Sequence, residues 1–114
     1  YITSAEYDSI GQMIFRDNNK MMIEGKNVLI LNGSVTTGET LAKAVNTVLY
    51  YGGKITGIAA IFSAVSSVAK LPVKSIFTQQ DIPNYETFSQ HNCPMCQTKQ
   101  KVDAIVSGYG YSKL

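Results

Sequence analysis

Asn27-Val28-Leu29-Ile30-Leu31-Asn32-Gly33-Ser34-Val35-Thr36-Thr37-Gly38-Glu39-Thr40 is the stretch on which the fold turns. Its first part, Val28-Leu29-Ile30-Leu31, is a short continuous apolar run of the kind that parallel sheets bury on both faces, and it predicts a central strand. Beyond the polar loop, Leu41, Ala44, Val45, Val48 and Leu49 recur at helical spacing, and Gly52-Gly53 supplies a stop where a left-handed residue is tolerated. This predicts a helix of about 12 residues. Ile55 to Phe62 reads as a second apolar strand, so the stretch opens one strand-helix-strand unit, for which a right-handed crossover is expected.

Upstream, Gln12-Met13-Ile14-Phe15 and Met21-Met22-Ile23 flank the turn-rich Asp17-Asn18-Asn19-Lys20, which predicts a hairpin with an Asx-type turn. Downstream, Ser63 to Ala69 is expected as a short helix, and Val73 to Thr78, after Pro72, as a third strand at the sheet edge. Asp81 to Leu114 mixes Pro83, Pro94, Cys93-Pro94-Met95-Cys96 and Ser107-Gly108-Tyr109-Gly110-Tyr111, the composition of an irregular tail with one short strand over Val102 to Val106. The fold class is α/β: a βαβ parallel-sheet core with an N-terminal hairpin and an irregular C-terminal tail.

A chain of 114 residues supports one small domain, burying about 65% of the surface its unfolded form exposes. Apolar residues make up 45% and charged residues 16%, ordinary globular composition that argues against general disorder. The net charge of +2, without a Lys/Arg block, argues against a nucleic-acid or anionic-membrane partner. No apolar run reaches the ~18 residues that span a bilayer, and the first residues lack a basic segment leading into an apolar core, so a cytoplasmic location is expected. The chain starts at Tyr1 rather than at a methionine and reads as a fragment or a processed form. The tyrosines, including Tyr50-Tyr51 at the end of the helix, read as packing or interface residues before base-stacking ones.

The loop between strand and helix carries the chemistry. Thr36-Thr37-Gly38-Glu39-Thr40 brings three hydroxyls, free backbone N–H groups and the positive end of a helix dipole to one point outside the carboxyl end of a strand. Gly38 lets the backbone approach an anion closely, while Glu39 complements the dipole and faces away from one. A helix cap is the commoner use of any one such threonine. The whole string from Val28 to Thr40 says more, since four apolar residues, two positions, Ser34-Val35 and then Thr-Thr-Gly-Glu-Thr resemble the phosphoribosyl pyrophosphate signature of type I phosphoribosyltransferases. The segment from Pro83 to Cys96, Pro-Asn-Tyr through Cys-Pro-Met-Cys, is similar to the C-terminal region of orotate phosphoribosyltransferase-type members.

The resemblance implies that residues 1–114 form a single phosphoribosyltransferase-like domain, a fragment without the family's upstream sheet and base-covering hood. It implies that Thr36, Thr37, Gly38, Glu39 and Thr40 hold the 5′-phosphate of phosphoribosyl pyrophosphate or a nucleotide. It implies orotate as the base and Mg²⁺ as the family's cofactor; a homodimer is expected separately, because 114 residues leave the edge of the sheet uncovered. Asn32 and Gly33 stand where the family has the acidic pair that binds the ribose hydroxyls, so the carboxylates are missing and turnover loses stabilisation of the developing positive charge. Arg16 and Lys20 fall in the segment corresponding to the family's mobile loop and read as solvated turn charges.

His91, Cys93 and Cys96 are the candidate metal ligands, three where a structural zinc needs four, and the fourth would come from Asp81, Glu86 or a symmetric partner. A free-thiol turn is the reading preferred over metal. Thioredoxin-like redox chemistry ranks lower still, because this CxxC is not expected to open a helix after a strand. Three functions stay open: a phosphoribosyl-transferring enzyme, a non-catalytic nucleotide-binding or regulatory module, and a structural dimer fragment.

Overall fold

The computed structural model describes residues 1–89, 91–107 and 109–114; Gln90 and Gly108, each inside a segment singled out above, lie outside the described residues. The architecture is mixed α/β. A four-stranded sheet has the order β3-β4-β6-β5, built from β3 (Asn27–Val35), β4 (Lys54–Ser63), β5 (Ser67–Val68) and β6 (Leu71–Thr78). β3 and β4 pair in parallel through Val28↔Ile55 and Ile30↔Ile58, and β4 and β6 pair in parallel through Ile58↔Val73 and Phe62↔Phe77. The helix α2 (Glu39–Tyr50) joins β3 to β4 and has the 12 residues that the apolar spacing predicts.

Its stop is the expected glycine pair. The Gly52 N–H donates to the Leu49 carbonyl at 3.0 Å and the Gly53 N–H to the Val48 carbonyl at 2.9 Å, the Schellman arrangement, with Gly52 left-handed at φ 78°. Leu41, Val45 and Val48 of α2 are buried, whereas Leu49 lies outside the buried stripe. Val35, Leu41, Val45, Ile58, Ala60, Val68 and Val73 form the main core between helix and sheet, and Phe15, Ile23 and Val48 form a second cluster at the far end of the helix. Tyr51 joins that second cluster, edge-on to Phe15 at 5.5 Å, while Tyr50 is exposed.

Four expectations need correction. First, β3 is an edge strand and β4 the inner one, and the helix covers only one face of the sheet. The alternate residues of β3 therefore point outward, leaving Leu29 56% and Leu31 72% exposed. Second, the N-terminal hairpin pairs β1 (Glu6–Tyr7) with β2 (Met13–Ile14), not Gln12–Phe15 with Met21–Ile23. The Asx turn sits at Asp8, whose carboxylate accepts the N–H of Ile10 at 3.0 Å and of Gln12 at 2.8 Å, with Gly11 at φ 79°. Asp17–Lys20 is instead one helical turn, α1, with an acid at its start and a base at its end.

Third, Ser63 to Ala69 is no helix. The Ser63 hydroxyl donates to the Val65 carbonyl at 2.7 Å, and the Ala64 N–H donates to the Val35 carbonyl at 2.8 Å. These local bonds, with β-branched Val65 and Val68, lead the chain into β5. Fourth, the tail is more regular than expected: α3 (Pro94–Gln97) is a helical turn, and β7 (Ala104–Ser107) pairs antiparallel with β8 (Gly110–Lys113). The third strand is found as β6, but it lies between β4 and β5 rather than at the edge of the sheet order, because the hairpin turn at Ala69 and Lys70 folds β5 back onto its first two residues, Leu71 and Pro72. Among the described residues no helix is long and apolar enough to cross a membrane.

Candidate functional site

The sheet delivers the Thr36–Thr40 loop to the carboxyl end of β3, where it turns over Gly38 into α2. Gly38 caps the helix in a left-handed conformation, φ 85° and ψ 0°. It is also buried against the β5 hairpin, since a Cβ built on it would lie 2.8 Å from Cγ2 of Val68. Backbone angle and packing thus demand glycine independently. The first intrahelical bond runs from the Ala42 N–H to the Gly38 carbonyl at 2.8 Å, which leaves the N–H groups of Glu39, Thr40 and Leu41 without helical acceptors. The Glu39 N–H reaches only the Thr37 hydroxyl, at 3.5 Å. Thr36, Thr37, Glu39 and Thr40 are exposed, so donors and hydroxyls face the solvent at the positive end of a three-turn helix.

The two residues before Ser34, Asn32 and Gly33, carry no carboxylate. Asn32 is half-buried and pairs with Ala60 in the neighbouring strand. A Cβ built on Gly33 meets nothing within 4 Å, so a side chain there has room. This step opens onto a hollow of about 660 Å³ on the uncovered face, lined by Leu31, Ala59, Ile61, Lys74 and Ile76 beside Asn32 and Gly33. The donor set is an amide and a bare backbone. It does not fit Mg²⁺, which prefers carboxylate oxygens in octahedral array.

The remaining candidates are placed elsewhere. Arg16 is held by Glu6 through a two-pronged ion pair, Nε to Oε1 at 2.8 Å and Nη2 to Oε2 at 2.6 Å, which lowers the Glu6 carboxyl and raises the arginine. Lys20 ends α1. Among the described residues no three His, Cys, Asp or Glu side chains converge as metal ligands. Asp81 is engaged instead in a capping box, accepting the Thr78 N–H at 2.7 Å and the Thr78 hydroxyl at 3.0 Å, bonds that hold its carboxyl below the usual range. Cys93, which precedes α3 as its N-cap, and Cys96 within it are free thiols.

Sequence reasoning missed what supports the loop. Val68 under Gly38 belongs to a hairpin whose two turn residues, Ala69 and Lys70, have positive φ of 49° and 65° without the usual Gly or Asn signal. It also missed the tie of the tail to the sheet, where Tyr85 packs edge-on against Phe62 at 4.9 Å and its carbonyl accepts the Gln79 amide at 3.1 Å.

Comparison with known proteins adds a relationship to this geometry. The chain is 28% identical over 102 residues, 82% of its length, to an orotate phosphoribosyltransferase of Desulforamulus reducens, covering 50% of that protein. It is 29% identical over 76 residues to the orotate phosphoribosyltransferase of Caldicellulosiruptor bescii and 31% identical over 75 residues to that of Caldicellulosiruptor saccharolyticus, covering 38% and 37% of those proteins. The chain is thus similar, at low identity, to orotate phosphoribosyltransferases. No protein-family model matches it. The chain spans half, or less, of the length of the curated relatives it matches.

Proposed function

We propose that this chain holds the 5′-phosphate of phosphoribosyl pyrophosphate or of a nucleotide in the loop Thr36–Thr40, with an orotate-type base as the nitrogenous partner. The observation that carries the reading is the left-handed, buried Gly38, which turns a parallel strand into a helix whose first N–H groups lack helical acceptors and have three threonine hydroxyls beside them. The orotate phosphoribosyltransferase relatives support the choice of ligand. In this reading the protein works in the cytoplasm as a homodimer on small-molecule substrates.

A second reading rests on Asn32 and Gly33: phosphate is bound without phosphoribosyl transfer, and the chain acts as a regulatory or assembly module. Without carboxylates at these positions, the ribose hydroxyls gain at most one neutral hydrogen-bonding side chain, and positive charge developing at the sugar gains no counter-ion.

Calorimetric titration with phosphoribosyl pyrophosphate and with orotidine monophosphate, each with and without Mg²⁺, tests both. The expected result is binding that needs the 5′-phosphate and is indifferent to Mg²⁺. Because the Gly33 Cβ site is open, Asn32→Asp with Gly33→Asp is expected to make affinity Mg²⁺-dependent. No change in that double variant would remove the ribose assignment, and no phosphate-dependent binding by the parent chain would remove the cradle.

A further inference from the structure

Besides the open sheet face, the molecule leaves a second apolar element uncovered. The hairpin of β7 and β8 pairs its strands through Ala104↔Lys113, Ile105↔Ser112, Val106↔Tyr111 and Ser107↔Gly110. Directly opposed residues share a face, so Val106 and Tyr111 stand together on one side, with Ile105 on the other. All three are more than half exposed. Among the described residues the two strands pack on each other and on no other element to a comparable extent. A lone two-stranded hairpin is marginal in water, and the apolar side chains of such an arm stabilise nothing until a surface covers them.

The dimensions of the molecule say the same. Its accessible surface is 9027 Å², whereas a compact monomer of this size exposes about 6,100 Å². Its radius of gyration is 16.3 Å, against about 13 Å for a compact chain of this length. The excess surface is several times the ~800 Å² that each partner gives to a standard interface. The open sheet face offers the matching form. Leu31, Ile61 and Ile76 border its hollow of about 660 Å³, and Ala59 and Gly33 form a floor without bulk. Lys74 is the one charge among the lining residues, and its apolar stem can cross the hollow while the ammonium stays at the rim. A hollow of that size takes the Val106 and Tyr111 side chains together.

We propose that the chain dimerises by reciprocal exchange of arms: the β7–β8 hairpin of each copy lies on the open sheet face of the other, with Val106 and Tyr111 seated between Leu31 and Ile76. The proposal rests on the homodimer of the reading above and is independent of its phosphate cradle. A single arrangement then covers both apolar elements, whereas stacking face on face would leave both arms exposed. Exchange about a two-fold axis is closed, so assembly stops at the dimer.

Mixing of variants tests it. Val106→Lys with Tyr111→Lys disables the arm, and Leu31→Lys with Ile76→Lys disables the face. All four side chains are exposed, so both variants should melt like the parent at low concentration. In sedimentation velocity the parent is expected to reach a dimer and nothing larger, and each variant alone to bind itself at least about a hundredfold more weakly. A one-to-one mixture should regain a dimer at least about tenfold tighter than either variant alone, because it joins one intact arm to one intact face. A monomeric parent overturns both this proposal and the homodimer. A dimeric parent whose variants do not complement each other overturns the arm exchange alone, as does growth beyond the dimer. Lysine cross-linking of the parent, mixed from isotopically light and heavy chains, gives a second readout that needs no substitution. Links between Lys74 and Lys113 should join light chains to heavy ones. Links confined to one label would place the arm on its own sheet, and dominant Lys74–Lys74 links would stack face on face; either outcome overturns the exchange.

Discussion

Gly38 sits where two demands meet, a left-handed backbone and a wall of Val68 methyl groups, and either alone would select glycine. Gly38→Ala is therefore expected to destabilise the chain by about 1–3 kcal/mol, combining positive-φ strain with overpacking. Urea denaturation checks this. Adding Val68→Ala should not restore stability, since it removes the clash and leaves the strain while losing a buried side chain. The need for a small residue at this position was legible in Thr-Thr-Gly-Glu-Thr, because a loop feeding a helix asks for close backbone approach. The wall was not, because Val68 lies thirty positions on and reaches Gly38 only through a hairpin whose turn residues gave no signal.

That hairpin makes the argument at the scale of elements. Ala69 and Lys70 hold the two positive-φ places of a tight turn that glycine or asparagine would fill with less strain. Lys70→Gly should raise stability by about 0.5–1 kcal/mol in the same urea assay, with the loop above it unaltered. Helix α2 was readable in full, since its apolar period and Gly52-Gly53 stop are local signals. Strand β5 and helix α3 were not, since each is set by backbone and hydroxyl bonds that no periodicity announces. The turn after β6 behaves likewise and is sensitive to acid. The Asp81 carboxyl is lowered by the Thr78 N–H and then by its hydroxyl. A group with a depressed folded pKa contributes stability that is present above its unfolded value and lost as pH falls through the folded one. The Phe62–Tyr85 contact should accordingly loosen below the ordinary carboxylate range, seen as loss of the Tyr85 ring shifts by NMR, and Asp81→Asn should show the loosened state at neutral pH.

The molecule as a whole carries one unfinished surface. The run Val28 to Leu31 was read as buried on both faces, the usual state of a parallel strand, and the structure covers only one. On the open face the pairing places Leu29 beside Gly57 and Leu31 beside Ala59, with Lys74 on the far side of Ala59 and Ile61 level with Ile76. Leu29, Leu31, Ile61 and Ile76 are each more than half exposed there. Burying a large apolar side chain contributes roughly 1.5–3 kcal/mol, so such a contiguous patch favours association even after the cost of bringing chains together. The chain is expected to self-associate with increasing concentration in sedimentation velocity runs, and Leu31→Lys with Ile76→Lys to shift it to the monomer. These positions contribute little to the fold while exposed, so the double variant should melt close to the parent at low concentration. If it melts far lower, the residues support the monomer; if the parent sediments as a monomer throughout, the open sheet does not bind a second copy of the chain.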